Sequence, residues 1–169
     1  MDLTDKIYSD WDGLVAALDR RRADGKRIVA TNGCFDLLHL GHVRYLQAAR
    51  ELGDCLVVGL NSDRSVRRLK GAGRPINHQE ERAEMLAALA SVDYVAIFDE
   101  DTAHNLLRAI RPDIYVKGGD YTPDVIPEAP LIRSMGGSVV VVALVPGRST
   151  TQLLERLAAE ELAKLMNEE

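Results

Sequence analysis

Arg27-Ile28-Val29-Ala30-Thr31-Asn32-Gly33-Cys34-Phe35-Asp36-Leu37-Leu38-His39-Leu40-Gly41-His42 is the stretch that decides how this chain is read. Residues 27–31 form an apolar run of strand type, 32–36 have turn composition, and two imidazoles three residues apart follow where a helix begins. A helix N-terminus offers free backbone N–H groups and the positive end of the dipole, and both attract anions. If the helix starts near Leu40, the spacing of three places His39 and His42 on one face. Two imidazole donors added to that cradle can hold a polyphosphate and tighten on it as charge develops. The stretch points to phosphate chemistry on a nucleotide.

Outward from it, apolar runs and helical periods alternate along all 169 residues. Trp11, Leu14, Val15 and Leu18 fall at i, i+3, i+4 and i+7, the stripe of a helix over 10–24 that Gly25 ends. Strands are predicted over 27–31, Leu56–Leu60, Tyr94–Phe98, Asp113–Val116 and Ser138–Leu144. Between them lie helices over Val43–Leu52 and Thr102–Ile110, and one led by Asn77-His78-Gln79-Glu80, a loose capping box. A short helix ends at Gly136-Gly137, and a long one runs over 149–166. Continuous apolar strands alternating with helices predict an α/β fold. It is Rossmann-like and doubly wound, a five-stranded parallel sheet with helices on both faces. No repeat or linker interrupts it, so 1–169 reads as a single domain with its catalytic core over 26–151.

Ligands of such sheets sit beyond the strand C-termini, where the strand order reverses. Four polar loops are predicted at that edge: 32–42, 61–74, 117–121 and 147–151. The second holds Arg64, Arg67, Arg68, Lys70 and Arg74 around Gly71 and Gly73, a basic flap able to close over a triphosphate. Lys70, at the hinge into the glycines, is its candidate catalytic residue; a solvated helix face is the plain alternative. Lys117-Gly118-Gly119-Asp120 is either a tight turn or a ligand loop. Ser149, Thr150 and Thr151 open the last helix, where hydroxyls and N–H groups cap it and can bind phosphate. For His39 and His42 two other readings stand, structural capping and a zinc pair. Zinc needs a third and fourth ligand, and His78, His104, Cys34 and Cys55 lack ligand-like spacing.

Several classes are disfavoured. The chain carries no Walker A lysine motif, no G-x-G-x-x-G after the first strand and no G-x-S-x-G elbow. A net charge of −5 argues against non-specific nucleic-acid binding. No stretch is long enough to span a membrane and Met1-Asp2-Leu3-Thr4-Asp5 has no signal pattern, so a cytoplasmic protein without a membrane partner is expected. The two cysteines lie in or beside strand-like runs and are expected to be reduced. A homodimer is expected from the frequency of twofold assemblies.

Gly33-Cys34-Phe35-Asp36-Leu37-Leu38-His39-Leu40-Gly41-His42 resembles the G-x-F-D-x-x-H-x-G-H signature of the cytidylyltransferase-like nucleotidyltransferases, and Ser149-Thr150-Thr151 resembles their I-S-T-T helix start. The resemblance runs from about Lys26 to Leu157. Within that superfamily the chain looks like the adenylyltransferases of ADP-heptose synthesis. Asn61-Ser62-Asp63, Arg68-Leu69-Lys70-Gly71, Arg74-Pro75-Ile76-Asn77 and Val116-Lys117-Gly118-Gly119-Asp120-Tyr121 support this. That domain is often fused behind a sugar kinase, and the chain is similar to the stand-alone form. Glycerol-phosphate cytidylyltransferases carry R-T-E-G where this chain has Val145-Pro146-Gly147-Arg148, which favours ATP over CTP.

The resemblance implies adenylyl transfer from ATP to D-glycero-β-D-manno-heptose 1-phosphate. The alternatives are GTP with heptose phosphate, CTP with glycerol 3-phosphate, or a non-catalytic nucleotide-binding partner of a sugar kinase. A phosphate monoester is already anionic, its second pKa being about 6, so no general base is required. His39, His42 and Lys70 would be catalytic. Asn32, Gly33, Cys34, Phe35, Gly41, Arg82, Gly118, Asp120, Ser149, Thr150 and Thr151 would bind the nucleotide. Asp36 and Lys117 would meet the sugar phosphate, and Mg²⁺ would be held mainly through nucleotide phosphates.

Overall fold

Strands buried on both faces alternate side chains between two separate cores, and this chain does so residue by residue. In the strand Ile28–Gly33 (β2), Ile28 and Ala30 face one core and Val29 the other. Cys55–Asn61 (β3) divides likewise, with Cys55 and Val57 on one side and Leu56, Val58 and Leu60 on the other. The first core is closed by Trp11–Ala23 (α1), His104–Ile110 (α5) and Ala129–Ser134 (α6). The second is closed by Leu40–Arg50 (α2) and Gln79–Ala87 (α4). The computed structural model describes residues 2–120, 122–143 and 154–160.

Among the described residues the sheet has six parallel strands, not the five expected. Ile7–Tyr8 (β1) lies at one edge, followed in space by Tyr94–Phe98 (β4), β3, β2, Ile114–Gly118 (β5) and Ser138–Val142 (β6). Two residues are too few to show an alternation, so β1 is invisible in the sequence. It exists because Ile7 and Tyr8 pair with Val95 and Ala96 of β4. Lys6 secures the approach by donating to the carbonyls of Ala87 and Val92 at 3.0 and 2.9 Å. Trp11 Nε1 donates to the Ile97 carbonyl at 3.0 Å just beyond.

Local chemistry sets the element ends. Asp10 caps α1 through the Asp12 N–H. Gly25, at φ 72, closes it with the paired bonds Lys26 N–H to Arg21 and Gly25 N–H to Arg22, a Schellman motif. At the N-terminal edge of the sheet, the carboxylates of Asp54, Asp113 and Asp93 accept the first strand N–H groups of Arg27, Ile28 and Leu56. Helix α2 starts at Leu40, three residues earlier than the apolar run over Val43–Leu52 suggested. Arg64 to Lys70 of the expected flap belong to a helix, Asp63–Lys70 (α3), capped by Ser62 and ended by Gly71 at φ 98. Strand β5 runs on through Lys117 and Gly118, which the sequence placed in a turn. Of the long C-terminal helix, 154–160 is helical (α7); the remainder of 149–166 lies outside the described residues.

The chain steps from β2 to β3 to β4 on one side of β2, then crosses back to β5 and β6 on the other. The reversal falls at β2, so the crevice beyond the ends of β2, β3 and β5 is where a ligand belongs.

Candidate active site

Strand β2 delivers Asn32 and Gly33 to the crevice, and the chain turns at Phe35, whose φ of 43 is unusual for a bulky residue. That turn folds the Phe35 ring back into the protein, 6% exposed, edge-on to His42 with ring centroids 5.2 Å apart and planes at 61°. A Cβ at Gly33 would stand 3.0 Å from the Phe35 ring, so a larger residue there would have to displace that ring by a few tenths of an ångström.

His39 takes the N-cap position of α2 with extended backbone, yet its ring makes no cap hydrogen bond. It stacks on His42 instead, centroids 3.9 Å apart and planes at 21°. Gly41, between them in sequence, is buried. Burial foremost, and then the charge of His39, push the His42 imidazole down to about 4, a backbone hydrogen bond at Leu37 opposing them. Burial and the neighbouring ring leave the His42 imidazole neutral in the free protein.

A cavity of about 460 Å³ opens beside His42. Asn32, Gly33, Cys34, Phe35 and Asp36 form its floor, Asn61, Leu69, Lys70 and Arg74 one wall, and Lys117 and Glu128 the opposite wall. A second cavity of about 270 Å³ shares Asn32, His42 and Lys117 and reaches Tyr45 and Gly118. On the Lys117 wall, the Asn32 Oδ1 accepts from Lys117 Nζ at 3.0 Å and from the Tyr115 hydroxyl. Burial lowers the Lys117 ammonium from its ordinary range, with the Glu128 carboxylate opposing. Behind His42, Tyr45 links the Thr31 hydroxyl (2.6 Å) to the Val116 carbonyl (3.0 Å), fixing α2 against β2 and β5.

Two expected ligand residues are committed elsewhere. Arg82 is fully buried and donates to the carbonyls of Cys34 (2.6 Å), Asn61 (2.9 Å) and Asn77 (3.0 Å) and to Asp63 Oδ1 (2.7 Å). It ties together the loops after β2 and β3 and the start of α4, with its guanidinium engaged by protein acceptors. The Cys34 carbonyl accepts from that arginine. Asp36, 2% exposed, accepts from Arg74 and from the N–H groups of Ile76 (2.7 Å) and Asn77 (3.1 Å), fastening the end of the flap. Of the five flap cations, Arg64 pairs with Asp99 and Arg68 with Asp101, which itself lines the cavity; Lys70 and Arg74 line the cavity directly.

Asp120 is exposed, and Ser149, Thr150 and Thr151 lie outside the described residues. No group of three His, Cys, Asp or Glu among the described residues is placed to hold a metal ion, so the zinc reading of the imidazole pair finds no further ligand. Cys55 is buried, its thiol pushed up to about 12 chiefly by that burial, and Cys34 is raised for the same reason; neither is paired in a disulfide. Glu128 and Asp101 of the cavity wall were missed from sequence, because neither lies in a motif or at a recognisable spacing.

Comparison with known proteins agrees with this geometry. The family model described as cytidylyltransferase-like matches residues 30–163. The chain is 59% identical over 143 residues to the bifunctional protein HldE of Syntrophotalea carbinolica, covering 85% of this chain and 29% of that protein. HldE of Geobacter sulfurreducens is 58% identical over 153 residues, 90% of this chain and 31% of the relative. The chain therefore spans about three tenths of the length of these relatives. A solved lipopolysaccharide core biosynthesis protein from Thermoplasma volcanium superposes with a TM-score of 0.58 at 33% identity, over 72% of this chain and 98% of that one. The chain belongs to the cytidylyltransferase-like family of nucleotidyltransferases.

Proposed function

We propose that this chain transfers the adenylyl group of ATP to D-glycero-β-D-manno-heptose 1-phosphate, giving ADP-heptose and pyrophosphate. The observation that carries the chemistry is the stacked His39–His42 pair at the start of α2, beside a cavity with Lys70 on one wall and Lys117 on the other. The likeness to the HldE proteins and to a lipopolysaccharide core biosynthesis protein supports the heptose reading.

An oxygen of the sugar phosphate attacks the α-phosphorus in line; the new P–O bond forms as the bond to the β-phosphate breaks, and pyrophosphate leaves with the electron pair. The nucleophile is anionic, so the protein's part is positioning and charge stabilisation. His39 and His42 donate to the α- and β-phosphates, and Lys70 takes charge on the β- and γ-phosphates. Gly41 and the α2 N-terminus bring backbone N–H groups close. Asn32, Gly33 and Phe35 line the nucleotide with Gly118. Lys117 faces the sugar phosphate, whereas Asp36 and Arg82 act through the loops they hold. Mg²⁺ enters with the substrate as MgATP, because phosphate oxygens and water suit it.

The deciding experiment is a matrix of ATP, CTP and GTP against heptose 1-phosphate and glycerol 3-phosphate, read by pyrophosphate release. Turnover is expected with ATP and heptose 1-phosphate, and a preference for any other pair would overturn the assignment. Lys70→Ala is expected to raise the KM for ATP about tenfold or more, the effect of losing one charged hydrogen bond.

A further inference from the structure

One buried carboxylate in this site is not fully satisfied among the described residues. Glu128 is 5% exposed, and its Oε2 has no hydrogen-bond partner among the described residues. The other buried charges here are saturated, Asp36 with three donors and Arg82 with four acceptors. Glu128 lines the cavity, and its Oε1 lies 4.0 Å from Lys117 Nζ. Its carbonyl accepts the Ile132 N–H at 3.0 Å, so the backbone is committed to α6 while the side chain turns to the crevice.

We infer that Glu128 reads a sugar hydroxyl: its open oxygen accepts a hydrogen bond from a ring hydroxyl of one of the two substrates bound in this cavity. This rests on the reading given under the proposed function. A carboxylate only accepts, so it repels phosphate and selects donors. Beside it Lys117 only donates, and an acceptor next to a donor matches a hydroxyl, which does both. Sheet order separates the two walls: Lys70 comes from the β3 side of β2, and Lys117 with Glu128 from the β5 side. The triphosphate therefore has its donors at the imidazoles and on the β3 side, and a hydroxylated part of a substrate bound beside Lys117 faces Glu128. The hydroxyl belongs either to the ribose of the nucleotide or to the acceptor sugar.

The test uses Glu128→Gln, which preserves shape, and Glu128→Ala, each measured for the KM of both substrates and for ATP affinity by calorimetry. One substrate is expected to lose about 10- to 100-fold in the Ala variant, the range of a hydrogen bond to a charged group, while the other stays within about twofold. Removing the contacted hydroxyl, with 2′- or 3′-deoxy-ATP or with mono-deoxy sugar phosphates, should cost the wild type a similar factor and cost Glu128→Ala nothing more. Sensitivity to deoxy-ATP assigns the ribose, and sensitivity to a deoxy sugar assigns the acceptor. Unchanged constants in both variants would overturn the inference, as would equal losses on both substrates or a loss on ATP that neither deoxynucleotide reproduces. Wild type that binds ATP but turns over no sugar phosphate overturns the proposed reaction instead. The ATP-affinity comparison then still decides the ribose assignment.

Discussion

At the scale of single residues, His42 couples two properties that pull against each other. In the proposed reaction it donates to phosphate, yet its burial against Phe35 and its stacking on His39 keep it uncharged in the free protein. Its pKa is depressed from 6.5 to about 4, so an unfolded chain takes the proton first as pH falls. The stability it contributes is complete above pH 6.5 and is lost as pH falls towards 4, about 2 to 3 kcal/mol after allowing for partial exposure. Urea unfolding at pH 7 and pH 4.5 should show this loss, and His42→Asn should flatten it; equal pH dependence in both proteins would contradict the assignment. Polyphosphate bound as proposed would restore the charge, so ATP binding at pH 5.5 should take up protons. Calorimetry in buffers of different ionisation enthalpy reads that uptake, and buffer-independent heats would count against it. His42→Ala should lower turnover by several orders of magnitude while the circular dichroism spectrum is retained. The imidazole pair was legible in the sequence, because spacing at a strand-to-helix junction is local information. The stacking was not, because it depends on where Phe35 packs.

At the scale of elements, the loops of the crevice are held by two buried charges. Arg82 on α4 joins the ends of β2 and β3, and Asp36 fastens 74–77 beneath the flap. Sequence position alone suggested that both touch substrate, since each sits beside a phosphate-binding motif. Burial decides otherwise: with no solvent-facing surface, Arg82 can only bind the protein. Arg82→Ala would leave three carbonyls and Asp63 without their donor, and a loss of about 3 to 5 kcal/mol in urea unfolding is expected. Arg82→Lys should recover little, since one ammonium cannot reproduce the planar fork. A loss below 1 kcal/mol in Arg82→Ala would show that the latch contributes little. The flap illustrates the same point. Five cations read as one basic lid, whereas the helix α3 directs Arg64 and Arg68 towards Asp99 and Asp101, and two hydrogen-bonding neighbours, Arg64 and Ser62, push Asp99 down to about 2.

At the scale of the whole molecule, two cores share one sheet, and the N-terminal segment is built into its edge through Lys6, β1 and Trp11. Trp11 is the single tryptophan and spans the junction of α1 with the end of β4. Its fluorescence should therefore report global unfolding, and the fluorescence and far-ultraviolet circular dichroism transitions in urea should coincide. An earlier fluorescence transition would mean that the edge unlocks separately from the sheet.

The amino-acid sequence by itself determined the alternation of strands and helices, the two-faced burial of the strands, the Gly25 stop and the imidazole pair. Each follows from period, composition or spacing within a few residues. Tertiary structure alone decided the sixth strand, the latch roles of Arg82 and Asp36, and the open acceptor of Glu128. The physical reason is common to all four: a two-residue strand exists only through its partner, and a charged side chain is a ligand, a latch or an unsatisfied acceptor according to what distant segments place around it.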